Sequence, residues 1–193
     1  MKIVFATNNP NKLKEVQTLM PKQIKLMSLV EIGCQEDIPE TQPTIEGNAI
    51  QKAEYIKKNY GYDCFADDTG LEVFSINKEP GVFSARYAGS QRNANDNTEK
   101  LLSKLHNKND RSAQFKTVIA LYLNGQIKTF TGICEGNITK EKKGEGGFGY
   151  DPIFRANGYS ETFAEISLAE KNKIGHRGKA IEKLISFLDS ANP

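Results

Sequence analysis

Lys2-Ile3-Val4-Phe5-Ala6-Thr7-Asn8-Asn9-Pro10-Asn11-Lys12 decides the fold class. The apolar run reads as a strand, and Thr7-Asn8-Asn9 as a polar turn. Pro10 suits the first turn of a helix, where its missing N–H has no partner to lose. Leu13, Val16 and Met20 then recur at helical spacing. A second strand is expected near residues 24–29, before a long polar stretch over residues 31–44. Ala49, Ala53, Ile56 and Tyr60 mark one face of a second helix, which Gly61 ends. Short strands are expected over residues 64–66 and 71–74. This β-α-β-α-β opening predicts an α/β architecture.

The later chain changes character. Residues 115–123 are nearly all apolar, with β-branched and aromatic members, as in a central strand. Asn124-Gly125 supplies a hairpin turn, and residues 127–133 return antiparallel, so the central sheet is mixed. A final helix presents Ile181, Leu184, Ile185 and Leu188 on one side. With 193 residues and no linker or repeat, the chain is expected to be one domain over residues 1–193.

A net charge of +2, with lysines scattered among glutamates, argues against a nucleic-acid arm or a membrane patch. No apolar run approaches a membrane span, and the N-terminal strand is too short for a signal segment. Cys34, Cys64 and Cys134 lie far apart without CxxC spacing, so neither a disulfide framework nor a zinc site is indicated. Reduced, buried thiols in a cytoplasmic protein are expected.

Chemical signals gather in four places. The Thr7–Lys12 turn leaves a strand and enters a helix, where N–H groups attract anions and Lys12 adds charge; an ordinary asparagine cap is the other reading. Asp67 and Asp68 follow a short apolar strand, with Glu40 in the long polar loop. Paired carboxylates suit Mg²⁺ and its waters, whereas the alternative is a turn built on Asp-Thr-Gly. Asp68 is the stronger candidate because it borders that Thr69-Gly70 turn, and Asp67 will point the other way if the strand persists. Residues 144–149 match GxGxxG literally, but lysines precede them and Asp151-Pro152 blocks a helix, so this is no dinucleotide fingerprint. Phe148 and Tyr150, on a glycine-bent loop with Gly149, are costly to expose unless something flat covers them. Lys171, His176 and Arg177 lie before or at the start of the last helix, either as donors to carbonyl or phosphate oxygens or as a solvated basic surface. His106 reads as surface. No nucleophile triad can be argued.

These residues converge on a family. The chain resembles, nearly end to end, the noncanonical purine nucleoside triphosphate pyrophosphatases. The likeness rests on Thr7–Lys12, on Ala66-Asp67-Asp68-Thr69-Gly70-Leu71, and on Pro80-Gly81-Val82-Phe83-Ser84-Ala85-Arg86-Tyr87. It continues through Gly146-Gly147-Phe148-Gly149-Tyr150-Asp151-Pro152-Ile153-Phe154 and Glu170-Lys171-Asn172 to His176-Arg177-Gly178-Lys179-Ala180.

The resemblance implies Mg²⁺-dependent hydrolysis of ITP, dITP or XTP to the monophosphate and pyrophosphate, by a homodimer. It implies a long mixed sheet with flanking helices and two lobes around a substrate cleft. Asp68 takes the position of general base; Glu40 and Asp68 are implied for the metal, with Asp67 nearby. Thr7, Asn8, Asn9, Pro10, Asn11, Lys12, Thr69 and Lys171 match phosphate- or sugar-contacting positions. Phe148, Gly149, Tyr150, Asp151, His176 and Arg177 match the base pocket. Two departures stand out: Gly47-Asn48 where many relatives carry Glu-Asn, and Gly175-His176-Arg177 where Ser-His-Arg is usual. A nucleotide-binding regulator without turnover, and a Maf-like pyrophosphatase for other triphosphates, are the competing readings.

Overall fold

A computed structural model describes residues 1–191. Among them, seven strands form one mixed sheet, in the order β2-β1-β3-β5-β6-β7, with β4 paired to β3. β1 (Lys2–Phe5) runs parallel to both β2 (Lys25–Met27) and β3 (Cys64–Val73). α1 (Pro10–Leu19) and α2 (Ile45–Tyr60) supply the crossovers. Asn124 and Gly125 both take positive φ, 50° and 80°, the conformation a two-residue hairpin needs between β5 (Ser112–Leu123) and β6 (Gln126–Ile138). The α/β, mixed-sheet expectation therefore holds.

Several elements differ from the sequence reading. The short strands expected on either side of Asp67–Gly70 are one continuous strand, β3, so there is no Thr69-Gly70 turn for Asp68 to border. An extended backbone through two carboxylates is tolerated because each finds partners on its own face of the strand. β4 (Glu79–Gly81), β7 (Phe154–Ala156) and α4 (Leu168–Ile174) are too short to leave a periodic pattern. α3 (Ala94–Lys104) precedes β5, and α5 (His176–Ala191) closes the fold.

The chain divides into two compact units, each assembled from separated segments. The first comprises residues 1–68, 117–132 and 177–193. Its core packs Phe5 on Phe65 (ring centroids 4.6 Å apart) with Val16, Ile119, Leu121 and the inward stripe of α5, Ile181, Leu184 and Leu188. The second comprises residues 69–116 and 133–176. Its core gathers Leu71, Leu101, Phe115, Ile153, Phe154 and Phe163, with Phe115 edge-on to Phe154 at 4.7 Å. Fully burying a large apolar side chain contributes roughly 1.5–3 kcal/mol, so each core outweighs any single polar contact described below. Cys34, Cys64 and Cys134 are buried and form no disulfide with one another, as expected of small apolar side chains. Among the described residues, no helix is long and apolar enough to cross a membrane.

Candidate functional site

In the first unit the candidate site is organised by strand alternation. Successive side chains of β3 leave opposite faces, so Asp67 and Asp68 serve different surroundings. Asp67 is almost fully buried (1% exposed) and meets two cations. Lys12 Nζ lies 3.0 Å from its Oδ1, and Arg177 Nε lies 3.2 Å from its Oδ2. Arg177 also donates through Nη1 to Glu15 of α1. Burial alone would raise the pKa of Asp67, but Lys12, Arg177 and Lys52 outweigh it and hold the carboxyl below the ordinary range.

Asp68 faces α2. Asn48 Nδ2 donates to its Oδ2 at 3.1 Å, and Lys52 Nζ lies 2.6 Å from Glu40 Oε1. Burial raises the pKa of Asp68; Lys52 and Lys12 oppose the rise, Glu40 adds to it, and the Asn48 bond works against it. Lys52 feels a burial penalty that Asp68, Glu40 and Asp67 overcome, leaving it a firmer cation than usual. Asn48 and Lys52 are both buried on the face of α2 that also carries Ala49, Ala53 and Ile56. Polar residues one turn apart on an apolar face are the signal by which the sequence could have disclosed them, and Glu15, beside Val16 in α1, carries the same mark.

The Thr7–Lys12 turn is tied by its own side chains. Asn9 caps α1, accepting from the backbone N–H groups of Asn11 (2.9 Å) and Lys12 (3.3 Å), while Thr7 Oγ1 accepts from Asn9 N at 3.2 Å. Asn8, Pro10 and Asn11 are exposed around this capped end.

The second unit holds the glycine-bent loop. Gly147 and Gly149 have φ of 69° and 63°, and a Cβ on Gly147 would come within 2.1 Å of Asp151 Oδ2. Glycine at 147 is therefore required twice, by conformation and by space. Asp151 Oδ2 accepts from Phe148 N at 2.8 Å and pairs with Lys171 Nζ at 2.5 Å. That ammonium also stands 4.8 Å from the centre of the Phe148 ring, which is half-buried. His176 is buried, stacked 4.5 Å from Phe115 and 6.2 Å from Phe163. Residues 144–149 lead into a single 3₁₀ turn at Asp151–Ile153 and open no α-helix, consistent with discarding the dinucleotide fingerprint.

Three site expectations need correction. Tyr150 is not an exposed aromatic: it is 4% exposed, and its hydroxyl donates to Ser84 O at 2.9 Å. Arg177 is no solvated helix start: it is 3% exposed and held in the ion-pair cluster of the first unit. Asp67 does not fit a metal ligand, because both of its oxygens already face cations. Among the described residues, no three Asp, Glu, His or Cys groups form a ready cage for an ion. Mg²⁺ commonly takes only one or two carboxylates and completes its octahedron with water and phosphate, and Glu40 with Asp68 fits that pattern.

Glycine at the two departure positions is matched to its surroundings. A Cβ on Gly47 would approach Gln42 Cβ to 2.8 Å, and one on Gly175 would approach Lys171 O to 2.5 Å. Neither the glutamate nor the serine of the usual pattern fits here without local movement.

In the first unit a buried strand carries one carboxylate saturated by cations and a second held by Asn48 beside the Lys52–Glu40 pair, features suited to phosphate and its counter-ion; in the second a glycine-bent loop carries a half-buried aromatic ring suited to a flat group. The sequence profile of the Ham1 family matches residues 3–187. A dITP/XTP pyrophosphatase of Flavobacterium psychrophilum is 63% identical over 187 residues, covering 97% of this chain and 98% of that one. One from Bacillus subtilis is 44% identical, covering 97% and 96%. The solved Ham1 protein of Staphylococcus aureus superposes with a TM-score of 0.91 at 41% identity, over all of both chains. The chain belongs to the Ham1 family.

Proposed function

We propose that this protein hydrolyses deaminated purine nucleoside triphosphates, ITP, dITP and XTP, to the monophosphate and pyrophosphate. The observation that carries the reading is the Asp68 surround: a buried carboxylate with raised pKa, held by Asn48 and flanked by the Lys52–Glu40 pair. Near-full-length likeness to dITP/XTP pyrophosphatases supports the substrate class.

In this reading Asp68 accepts a proton from water while the water oxygen bonds to the α-phosphorus. The bridging P–O bond on the pyrophosphate side breaks, and pyrophosphate carries off the electron pair. A carboxylate made more basic by burial accepts that proton more readily. Lys52, and Asn8 and Asn11 at the capped start of α1, provide donors for phosphate oxygens. Glu40 and Asp68 would hold Mg²⁺, which neutralises phosphate charge. Phe148 offers a ring face to the purine, and His176 a donor for its 6-oxo group. ATP presents an amino donor at that position, and an unpaired buried donor costs roughly 1–3 kcal/mol.

The test is pyrophosphate release across ITP, dITP, XTP and the common triphosphates. Release from the deaminated purines should be strongest, should vanish after EDTA treatment and should return with Mg²⁺. Full activity after chelation and desalting would remove the metal from the reading, and binding without release would make the protein a nucleotide-binding regulator.

A homodimer in the cytoplasm completes the proposal. Within residues 80–87, Tyr87 packs on its own chain, its hydroxyl bonded to Glu79 and its ring 4.6 Å from Lys100 Nζ. Phe83 remains 57% exposed, with Arg86 5.4 Å from its ring, and is the residue offered to a second copy. Light scattering at micromolar concentration should give twice the chain mass; a monomeric mass rejects the dimer.

A further inference from the structure

Residues 36–42 contain no helix or strand, yet they carry Glu40, so something else must hold that carboxylate in place. The hold comes from one row of side chains along α2. Tyr55 and Tyr60 both donate to Glu36 Oε1, at 2.9 and 2.6 Å. Gln51 grips Thr41 twice: its Oε1 accepts from Thr41 N at 2.9 Å, and its Nε2 donates to Thr41 Oγ1 at 2.8 Å. Asn48 closes the row. Its Oδ1 accepts from Gln42 N at 2.9 Å while its Nδ2 donates to Asp68 Oδ2 at 3.1 Å.

Asn48 is 1% exposed, and its amide is committed at both ends. One amide thus joins the backbone of the Glu40 segment to the carboxylate of Asp68. Its orientation follows from this pairing, because a flipped amide would set the oxygen against a carboxylate and the NH₂ against an N–H donor. Asn48 lies on α2, one turn before Lys52, which pairs with Glu40 itself. The two carboxylates are therefore referred to the same helix, one through Asn48 and the other through Lys52 and the strapped segment.

We propose that Asn48 is a positioning residue that fixes Asp68 relative to Glu40, with Gln51 and the Tyr55–Glu36–Tyr60 clasp strapping the Glu40 segment to α2, so that α2 sets the metal affinity of the pair. This rests on the reading of Glu40 and Asp68 as the metal's carboxylates. Two carboxylates can share an ion only at a spacing the ion accepts, and side chains that orient ligands typically change metal affinity about 10–100-fold when removed.

The experiment follows Mn²⁺ binding by the loss of its free EPR signal, together with amide exchange of residues 36–44, in the full-length protein without nucleotide. Asn48→Ala should weaken Mn²⁺ binding by about 10–100-fold and accelerate exchange at Gln42. Gln51→Ala, which touches neither carboxylate, should accelerate exchange at Thr41 and weaken Mn²⁺ binding less, by a few-fold, and it keeps the test open if the buried Asn48 variant fails to fold. Tyr55→Phe with Tyr60→Phe should behave like Gln51→Ala. Faster exchange with unchanged Mn²⁺ affinity in Gln51→Ala and the tyrosine pair, and in Asn48→Ala where it folds, would show a strap that merely stabilises the loop, and would overturn the proposal. Wild-type protein that binds no Mn²⁺ would instead refute the metal reading itself, and the proposal with it.

Discussion

Asp68→Asn should lower the turnover of pyrophosphate release by about 10²–10⁴-fold while the protein stays folded. The substitution preserves shape and size but replaces a proton acceptor with an amide. Asn48 Nδ2 can still donate to the new side-chain oxygen, so the bond at 3.1 Å survives in kind. The repulsion from Glu40 disappears, and so does part of the burial penalty that raises the pKa of Asp68. Stability should consequently hold or rise, as is common where a site keeps a buried charge for its chemistry. Activity above a tenth of wild type would move the base elsewhere, with Glu40 the next candidate. A loss of folding would show that Asp68 serves structure first.

Arg177→Ala should have the largest effect on stability, costing about 3–5 kcal/mol. The guanidinium is the shared partner of Asp67 and Glu15, both buried in the first unit. Removing it leaves the two carboxylates with less countercharge in a place that water does not reach. Lys12 still pairs with Asp67, which limits the loss on that side. For a chain of this length the melting temperature should fall by about 10 °C. The effect on ITP and ATP should be proportionate, because Arg177 is committed to the ion-pair cluster. A small thermal shift with a selective loss of ITP turnover would return Arg177 to the base pocket where the family resemblance places it. Asp67→Asn with Arg177→Ala should recover part of the stability, since the pair is then removed together.

The sequence disclosed its fold wherever burial follows a period. The Ala49–Ala53–Ile56 stripe, the Asn124-Gly125 hairpin and the Ile181–Leu184–Leu188 face all stand where spacing put them. Elements of three residues, such as β4 and β7, leave no period to read and exist because neighbours in the sheet recruit them. The same division runs through the site. Glu40 and Phe148 could be named from residue type and local context, and Asp68 from its residue type at the end of an apolar run, although the turn expected beside it is continuous strand. The fate of Tyr150, Arg177 and Asp67 could not, because each is settled by a partner far along the chain: Ser84, Glu15 and Lys12. A charged or aromatic residue in a motif shows that something polar or flat is met there. Whether that something is a ligand or another part of the same chain is decided by tertiary contacts.

β3 assigns its two adjacent aspartates to unlike tasks through nothing more than alternation, one knitted into an ion-pair cluster and the next presented to α2. Length is therefore under tighter constraint than composition in this strand. A conservative exchange at residues 64–66 would disturb packing locally and leave both aspartates facing as they do. A single insertion or deletion there would turn each to the other's face, exchanging their surroundings and setting one of the two about two residues away from the partners it would need. Homologous strands should thus vary in residue choice before Asp67 far more freely than in spacing, and designers grafting this pair onto another sheet must copy its parity before its chemistry.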